Sequence, residues 1–398
     1  MARDSVVAVT LLAVWRVRGR LPPRGHRRDP AGLAGRECEE LSGRAEAPRG
    51  RSGQPGDPGR QSAPRPGETL DFQRCLVIGG AGMLGFEIVR QLVAAGKQVC
   101  ILDLQPAPEV ICETRPGDIR SREDLMAACA GVDVVFQIAA AVWDVKAPAQ
   151  VYEEVNVGGN RLVVEVCREF GIRRLVYTST IDVVVDGRRP IVDGDESLPY
   201  PKRMPRDPYC RTKIEAERLV LAANGPELAT CALRPVGMYG PRDRYHLGNI
   251  LAMARRGNRI RLGSGKARFS HVYSENAAHA HVRAAAHLFP GSPVAGRAYF
   301  VGDHYPADNF FDFMEPFLAA LDLPVPQRRI PYPVAYGLAC VAEVVAPRSN
   351  FKRFAVIQTC VDHTYRHDRA ERDFGYRPLV SREEAFQRTL ADVRGHAD

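Results

Sequence analysis

The feature that most restricts the fold is the run GGAGMLG at residues 79–85, set between an apolar stretch at 75–78 and an amphipathic one at 86–95. Gly79, Gly82 and Gly85 recur at every third position. At a strand–turn–helix junction each has its own role. The first permits a tight turn out of the strand. The second lets backbone N–H groups approach a bulky anion with no side chain between, and the third lets helix and strand pack closely. Met83 and Leu84 complete the first helical turn, whose N–H groups and dipole favour a diphosphate. In this setting the glycines point to a dinucleotide-binding βαβ unit.

The chain beyond keeps the same rhythm. Apolar runs at 99–102, 132–138, 175–178 and 230–233 alternate with helical stretches at 122–129, 151–170 and 209–223. Connections this short imply parallel βαβ units, hence an α/β fold with a Rossmann-type doubly wound parallel sheet. Beyond about residue 240 the alternation becomes irregular. We therefore expect a dinucleotide-binding portion at 71–240 and a smaller substrate-binding portion at 241–398, interleaved with the last core elements.

Residues 1–70 read differently. After Trp15 they are rich in Gly, Pro, Ala and Arg and carry no hydrophobic period, as in non-globular chains. The apolar run at 6–15 is too short to span a bilayer, and Asp4 and the missing small-residue cleavage pattern argue against secretion. The segment is expected to be a disordered extension or to lie upstream of the native start. It holds 13 Arg and 8 acidic residues, so about +5 of the formal net charge of +8 sits there. The remainder is too weakly basic for a nucleic-acid binder. The ten cysteines include no CxxC pair, and no Cys/His cluster has zinc spacing. That pattern suits a reducing, cytoplasmic compartment with no disulfide framework and no metal site.

Two late segments stand out. IPYPVAYGLACVAEVVA at 330–346 is apolar apart from Glu343, with Pro331 and Pro333 placed to open a helix. It fits either a buried core helix or a peripheral, membrane-docking one. Ser381 and Glu384 have capping-box spacing at the start of a terminal amphipathic helix.

The chemistry concentrates in a few residues. Asp103 ends the 99–102 strand about twenty residues after the glycines. A carboxylate there accepts the ribose hydroxyls and repels a 2′-phosphate, so NAD is expected rather than NADP. Asp118 and Ile119 follow the third strand, where the adenine is bounded, and Ala139 and Ala140 leave room for the cofactor backbone. Tyr209 and Lys213 lie four residues apart, on one face of a helix. A free tyrosine titrates near pH 10. The Lys213 ammonium and a positive nicotinamide are expected to lower that value, so that the phenolate accepts a hydroxyl proton. YTST at 177–180 offers hydroxyls beside this pair, with Thr180 the first choice and Ser179 the second.

Together GGAGMLG, Asp103, YTST and YCRTK resemble the extended short-chain dehydrogenase/reductases over roughly residues 74–395. TCALRP at 230–235 followed by MYGPRD is similar to the 3β-hydroxysteroid dehydrogenase family. IPYPVAY at 330–336 and FGYRPLV at 374–380 resemble its sterol-4-carboxylate 3-dehydrogenase (decarboxylating) branch, and GDESLPY at 194–200 another branch.

The resemblance implies Tyr209 as proton acceptor, Lys213 as its partner and as a hold on the nicotinamide ribose, Thr180 as the substrate-oxygen contact, and Pro235 among the cofactor contacts. Gln137 stands where many relatives have His. The resemblance also implies a steroid or sterol substrate oxidised at its 3β-hydroxyl, a homodimer through helices 151–170 and 209–223, and membrane contact through 330–346, at the endoplasmic reticulum in a eukaryote. Loss of a 4-carboxylate would need no further residue, because the 3-ketone stabilises the carbanion. Δ5–Δ4 isomerisation would need a second acid–base group. Two rivals share the fold. Nucleotide-sugar epimerases and dehydratases resemble RDFIHV where this chain has ARFSHV at 267–272, with Ala267 in the arginine's place. Dinucleotide-sensing binding proteins tend to lose the tyrosine or the lysine, and this chain keeps both.

Overall fold

Alternate residues of each central strand enter opposite cores, which is why the strands read as unbroken apolar runs. In the computed structural model, which describes residues 70–395 except 108–111, 143–146, 188, 347–348 and 350, Cys75 and Val77 pack on one side of β1 (Arg74–Ile78), and Leu76 and Ile78 on the other. The expectation for residues 1–70 falls outside the described residues, Leu70 apart.

Six further strands join β1: β2 (Gln98–Asp103), β3 (Glu113–Pro116), β4 (Val134–Gln137), β5 (Arg174–Thr178), β7 (Ala229–Pro235) and β11 (Ala298–Val301). Their order is β11-β7-β5-β4-β1-β2-β3, parallel at every pairing. This is the doubly wound sheet read from the sequence. The chain reverses direction across the sheet between β1 and β4, the point at which such sheets open a crevice beyond the strand ends.

One face of the sheet is covered by α1 (Met83–Ala94) and α6 (Ser274–His287), whose Ile88, Leu92, Ala277 and Ala284 lie in the same core as Val77. The other face is covered by α2 (Arg122–Cys129), α3 (residues 149–169) and α4 (Pro208–Ala222) through Leu125, Val163, Val166 and Val220. Local signals set the helix starts. Ser121 accepts the Asp124 N–H at 3.2 Å to cap α2, and Asp207 caps α4 ahead of Pro208.

The stretch expected as one helix over 151–170 is interrupted. α3 runs as α-helix over Ala149–Tyr152, widens into a π-helical segment over Glu153–Gly159, and returns to α-helix over Asn160–Glu169. Such π segments often accompany functional sites.

Beyond β7 the elements are shorter. β8 (Gly237–Tyr239) pairs with β10 (His271–Tyr273), β9 (Ile260–Leu262) with β12 (Arg328–Ile330), and β6 (Ile191–Gly194) with β13 (His363–Tyr365). The intervening helices are α5 (Leu247–Arg255), α7 (Phe310–Ala320), α8 (Tyr332–Val345), α9 (Arg353–Cys360) and α10 (Asp368–Phe374). In α11 (Arg382–Gly395) half of the expected capping box forms. Ser381 accepts the Glu384 N–H, while the Glu384 carboxylate turns to Arg388.

The apolar segment 330–346 forms α8, and its two faces part. Ala335 and Ala339 are fully buried against Val356 of α9. Val334, Val341, Val344 and Val345 are exposed, Val344 to 81%. A wholly buried core helix is therefore excluded. No helix among the described residues is long and apolar enough to cross a membrane.

Candidate active site

The glycine turn has the geometry expected of it. Gly79 has φ +90°, and a Cβ there would sit 2.7 Å from the Ala139 nitrogen, so both its conformation and its neighbour require glycine. A Cβ on Gly85 would collide with the Gly79 carbonyl, so the third glycine lets α1 sit on the turn. A Cβ on Gly82 would meet only the Gly79 carbonyl oxygen, at 3.5 Å. Gly82 begins α1 with no side-chain cap and no acid in the first turn. Leu84 is buried in the core, so it offers a ligand its backbone alone.

Asp103, Asp118 and Ile119 lie close to this turn, and Pro235 lies farther along the sheet. Asp103 ends β2, and its carboxylate accepts the Ala81 and Gln105 N–H groups, each at 3.0 Å. One acceptor edge is thereby fixed against the glycine loop. The Gly117 N–H donates to the Asp103 carbonyl at 3.0 Å, which brings Asp118 and Ile119 alongside. Asp118 is held below the usual carboxylate range by its hydrogen bonds to Arg120, against the upward push of partial burial. Ile119 is buried beneath Gly159 of α3. Pro235 ends β7 two strands away from β4, in register with Val301.

Gln137 braces the next segment. Its side chain accepts the Ala139 N–H at 3.0 Å and donates to the Ala139 carbonyl at 2.9 Å. Asn156, in the π segment of α3, does the same for Ala141, at 2.8 and 3.2 Å, and also reaches Thr212 of α4 at 3.0 Å. Sequence reasoning missed Asn156. The available signal was a polar residue interrupting the apolar period of VNVGGNRLVV at 155–164. With small side chains at 139–141, a wall is left that an extended cofactor can lie along.

The expected hydroxyl, phenol and ammonium meet at the end of β5. The Thr180 hydroxyl lies beside the Tyr209 phenol and accepts the Asp182 N–H at 3.2 Å. Ser179 lies beside Glu217 instead. One turn on from Tyr209, Lys213 donates to the Thr178 carbonyl at 2.7 Å, with its ammonium 4.5 Å from the Tyr177 ring centre.

The electrostatics differ from expectation. Burial pushes the Tyr209 phenol well up, Asp182 adds to the push, and the Thr180 hydrogen bond opposes it. Lys213 itself is pushed down to about 7, by burial, against the pull of Glu217 and Asp182. The expected lowering of Tyr209 by Lys213 is therefore corrected. The ammonium faces the Thr178 carbonyl, and desolvation of the phenolate dominates.

A buried ion pair stands behind this centre. Arg234 of β7 donates to Glu217 of α4 at 2.6 and 3.0 Å, and the Tyr200 hydroxyl donates to the same carboxylate at 2.7 Å. Their side chains are 5% and 0% exposed.

Comparison with known proteins agrees with this architecture. The 3-beta hydroxysteroid dehydrogenase/isomerase family matches residues 76–333. Sterol-4-alpha-carboxylate 3-dehydrogenase, decarboxylating, of Mus musculus is 35% identical over 332 residues, spanning 80% of this chain and 90% of that protein. The 2-alkyl-3-oxoalkanoate reductase of Stenotrophomonas maltophilia is 36% identical over 331 residues, spanning 80% and 98%. Among solved structures, dTDP-glucose 4,6-dehydratase DesIV of Streptomyces venezuelae, with NAD and TYD bound, has a TM-score of 0.64 at 23% identity and covers 81% of this chain and 97% of its own. At that identity the likeness is one of fold. The resemblance carried by the sequence motifs is thus borne out, and the chain belongs to the 3-beta hydroxysteroid dehydrogenase/isomerase family of oxidoreductases.

Proposed function

We propose that this chain oxidises the 3β-hydroxyl of a sterol or steroid with NAD. The observation that carries this reading is the meeting of the Thr180 hydroxyl and the Tyr209 phenol at the end of β5, with Lys213 one helical turn on. Thr180 holds the substrate oxygen and Tyr209 takes its proton. Lys213 holds the nicotinamide ribose, and the α1 N-terminus with Asp103 holds the diphosphate and the adenosine ribose. NAD, when bound, supplies the hydride acceptor and a positive ring beside Tyr209. Residues 71–240 form the cofactor portion and 241–398 shape the substrate side. A homodimer through α3 and α4 suits this arrangement.

The two relatives narrow the substrate. Their names describe acids with the carboxylate on the carbon next to the oxidised or reduced one. The same relation in this chain's substrate makes the product a 3-oxo acid, which loses carbon dioxide with no added catalytic group. Δ5–Δ4 isomerisation, the other outcome in the family's description, requires a second acid–base group facing the substrate. A panel of 4-carboxysterols, 3β-hydroxysteroids, 2-alkyl-3-hydroxyalkanoates and UDP-sugars, read as NADH formation, tests the reading. Turnover confined to UDP-sugars would overturn it, and carbon dioxide released with NADH supports the decarboxylating form.

Asp103 sets the cofactor preference in this reading. Asp103→Ala should weaken NAD roughly tenfold, the loss of about one charge-assisted hydrogen bond, and narrow the gap to NADP. Wild-type protein that binds NADP more tightly than NAD in a fluorescence titration would contradict the role.

Membrane docking belongs to α8. Its outer face carries Val334, Val341, Val344 and Val345, and β12, which leads into it, carries the exposed Arg328 and Arg329. An apolar face flanked by cations suits a peripheral site on an anionic bilayer, at the endoplasmic reticulum in a eukaryotic cell. Val344→Asp should reduce co-sedimentation with phosphatidylserine vesicles severalfold. It should shift stability in vesicle-free buffer by about 0.5 kcal/mol or less, because the site is exposed. Unchanged sedimentation would remove α8 from the docking surface.

A further inference from the structure

Asp182 lies within the catalytic centre, and neither the sequence motifs nor the proposed reaction assigns it a task. It sits two residues after Thr180, in the 3₁₀ turn Ile181–Val184, and is 5% exposed. Its backbone N–H donates to the Thr180 hydroxyl oxygen at 3.2 Å. That bond ties the Thr180 hydroxyl to the turn that carries the carboxyl. The Asp182 carboxylate accepts the side-chain amide of Gln358, on α9, at 2.7 Å.

Several groups face this carboxyl. α4 and its cap bring Tyr209, Cys210, Lys213 and Asp207, and β13 brings Tyr365. Burial pushes the Asp182 carboxyl up to about 7. The Thr180 and Gln358 hydrogen bonds and Lys213 pull it down, and Asp207 pushes it further up. Its charge therefore bears on how readily Tyr209 gives up its proton.

α9 is built to deliver Gln358. Phe354, one turn earlier on the same face, packs with Tyr209, Tyr152 and Cys210. Val356 seats on Ala335 and Ala339 of α8, and Arg353 donates to Glu343 of α8 at 2.7 and 2.8 Å. The helix that closes the phenol pocket thus also holds the carboxyl next to the catalytic hydroxyl.

We propose that Asp182 is a positioning residue for the Thr180–Tyr209 pair and that Gln358 sets its charge, so that the centre is complete only with α9 seated over it. This rests on Tyr209 being the base. An Asp182 carboxylate opposes a second negative charge on Tyr209, and neutral Asp182 permits it. Gln358 favours the carboxylate, so its removal keeps Asp182 neutral to higher pH.

The test is the pH dependence of kcat with 4-carboxycholestanol and NAD. Asp182→Asn keeps the shape and an acceptor for Gln358 but removes the charge. It should move the acidic limb down by about one pH unit, the effect of one nearby charge through partly screened protein, with KM little changed. Gln358→Leu should shift the limb in the same direction, and should add no further shift in an Asp182→Asn background. The Tyr209 phenolate is also read without substrate, as the ultraviolet difference between NAD-bound protein and its Tyr209→Phe form, and its midpoint should fall in both variants. Unmoved midpoints, with only a lower melting temperature, overturn the proposal. Wild-type turnover that survives Tyr209→Phe overturns the underlying reading instead.

Discussion

Tyr209→Phe is expected to lower kcat by roughly 10²- to 10⁴-fold, the usual scale for losing a positioned acid–base group, while NAD affinity stays nearly unchanged. The ring is buried with Tyr152 and Cys210, and Phe keeps that packing. The change removes the phenolic oxygen, with its Thr180 hydrogen bond and its proton-accepting site. Lys213→Ala should behave differently. It deletes the donor to the Thr178 carbonyl at 2.7 Å, so NAD binding and turnover should fall together. Stopped-flow NADH formation and an equilibrium NAD titration separate the two outcomes. A Tyr209→Phe enzyme with wild-type kcat would place the base elsewhere, and one with unchanged kcat/KM but altered NAD affinity would make the phenol a binding group only.

The chain's own residues do not favour the phenolate. Burial and Asp182 both push Tyr209 up, and Lys213 is itself pushed down to about 7. The acidic limb of kcat should therefore respond to charges placed around Tyr209 more than to surface charges, which solvent screens. Turnover should fall as Tyr209 takes up its proton, and protonation of Asp182 should blunt that fall, because a neutral carboxyl no longer opposes the phenolate.

The parts legible in the sequence are those fixed by local pattern. The glycines fix a turn through backbone sterics, so 79–85 announces itself. Strand–helix alternation at short spacing leaves one class of sheet, and YCRTK places two side chains on one helix face whatever surrounds them. The illegible parts depend on contacts far apart in the chain. Gln358 reaches Asp182 across 176 positions, and nothing near residue 358 marks it. Asn156 shows in the sequence only as a polar break in an apolar period, and its partners Ala141 and Thr212 are not marked there. The part played by Gln137 appears only when its amide is seen to pair with both backbone groups of Ala139. In 330–346 both faces of the helix are apolar, so hydrophobicity alone does not say which is covered. The size of Ala335 and Ala339 decides it, because only that face lets α9 approach closely.

Glu217→Ala is expected to cost about 3–5 kcal/mol of stability, as for breaking one side of a buried ion pair, and to lower the melting temperature by on the order of 10 °C. The carboxylate is fully buried and holds Arg234 at 2.6 and 3.0 Å, with Tyr200 at 2.7 Å. Its removal strands the guanidinium between the Tyr200 and Phe300 rings. The pair joins α4, which carries Tyr209 and Lys213, to β7, so kcat should fall as well. Glu217→Leu combined with Arg234→Met should recover much of the lost stability, since no charge is then left unpaired.

The acid side gives an independent check. Burial raises the Glu217 carboxyl, but Arg234 and Tyr200 outweigh it and the net shift is downward. A group lowered in the folded state contributes stability above its ordinary pKa and loses that contribution as pH falls through the lowered value. Wild-type protein should therefore lose stability below about pH 4, where free glutamates begin to protonate, and Glu217→Gln should show a shallower fall over the same range. Equal slopes in urea unfolding across that range would mean that Arg234 does not hold the carboxylate ionised, and that α4 is anchored to β7 by packing alone.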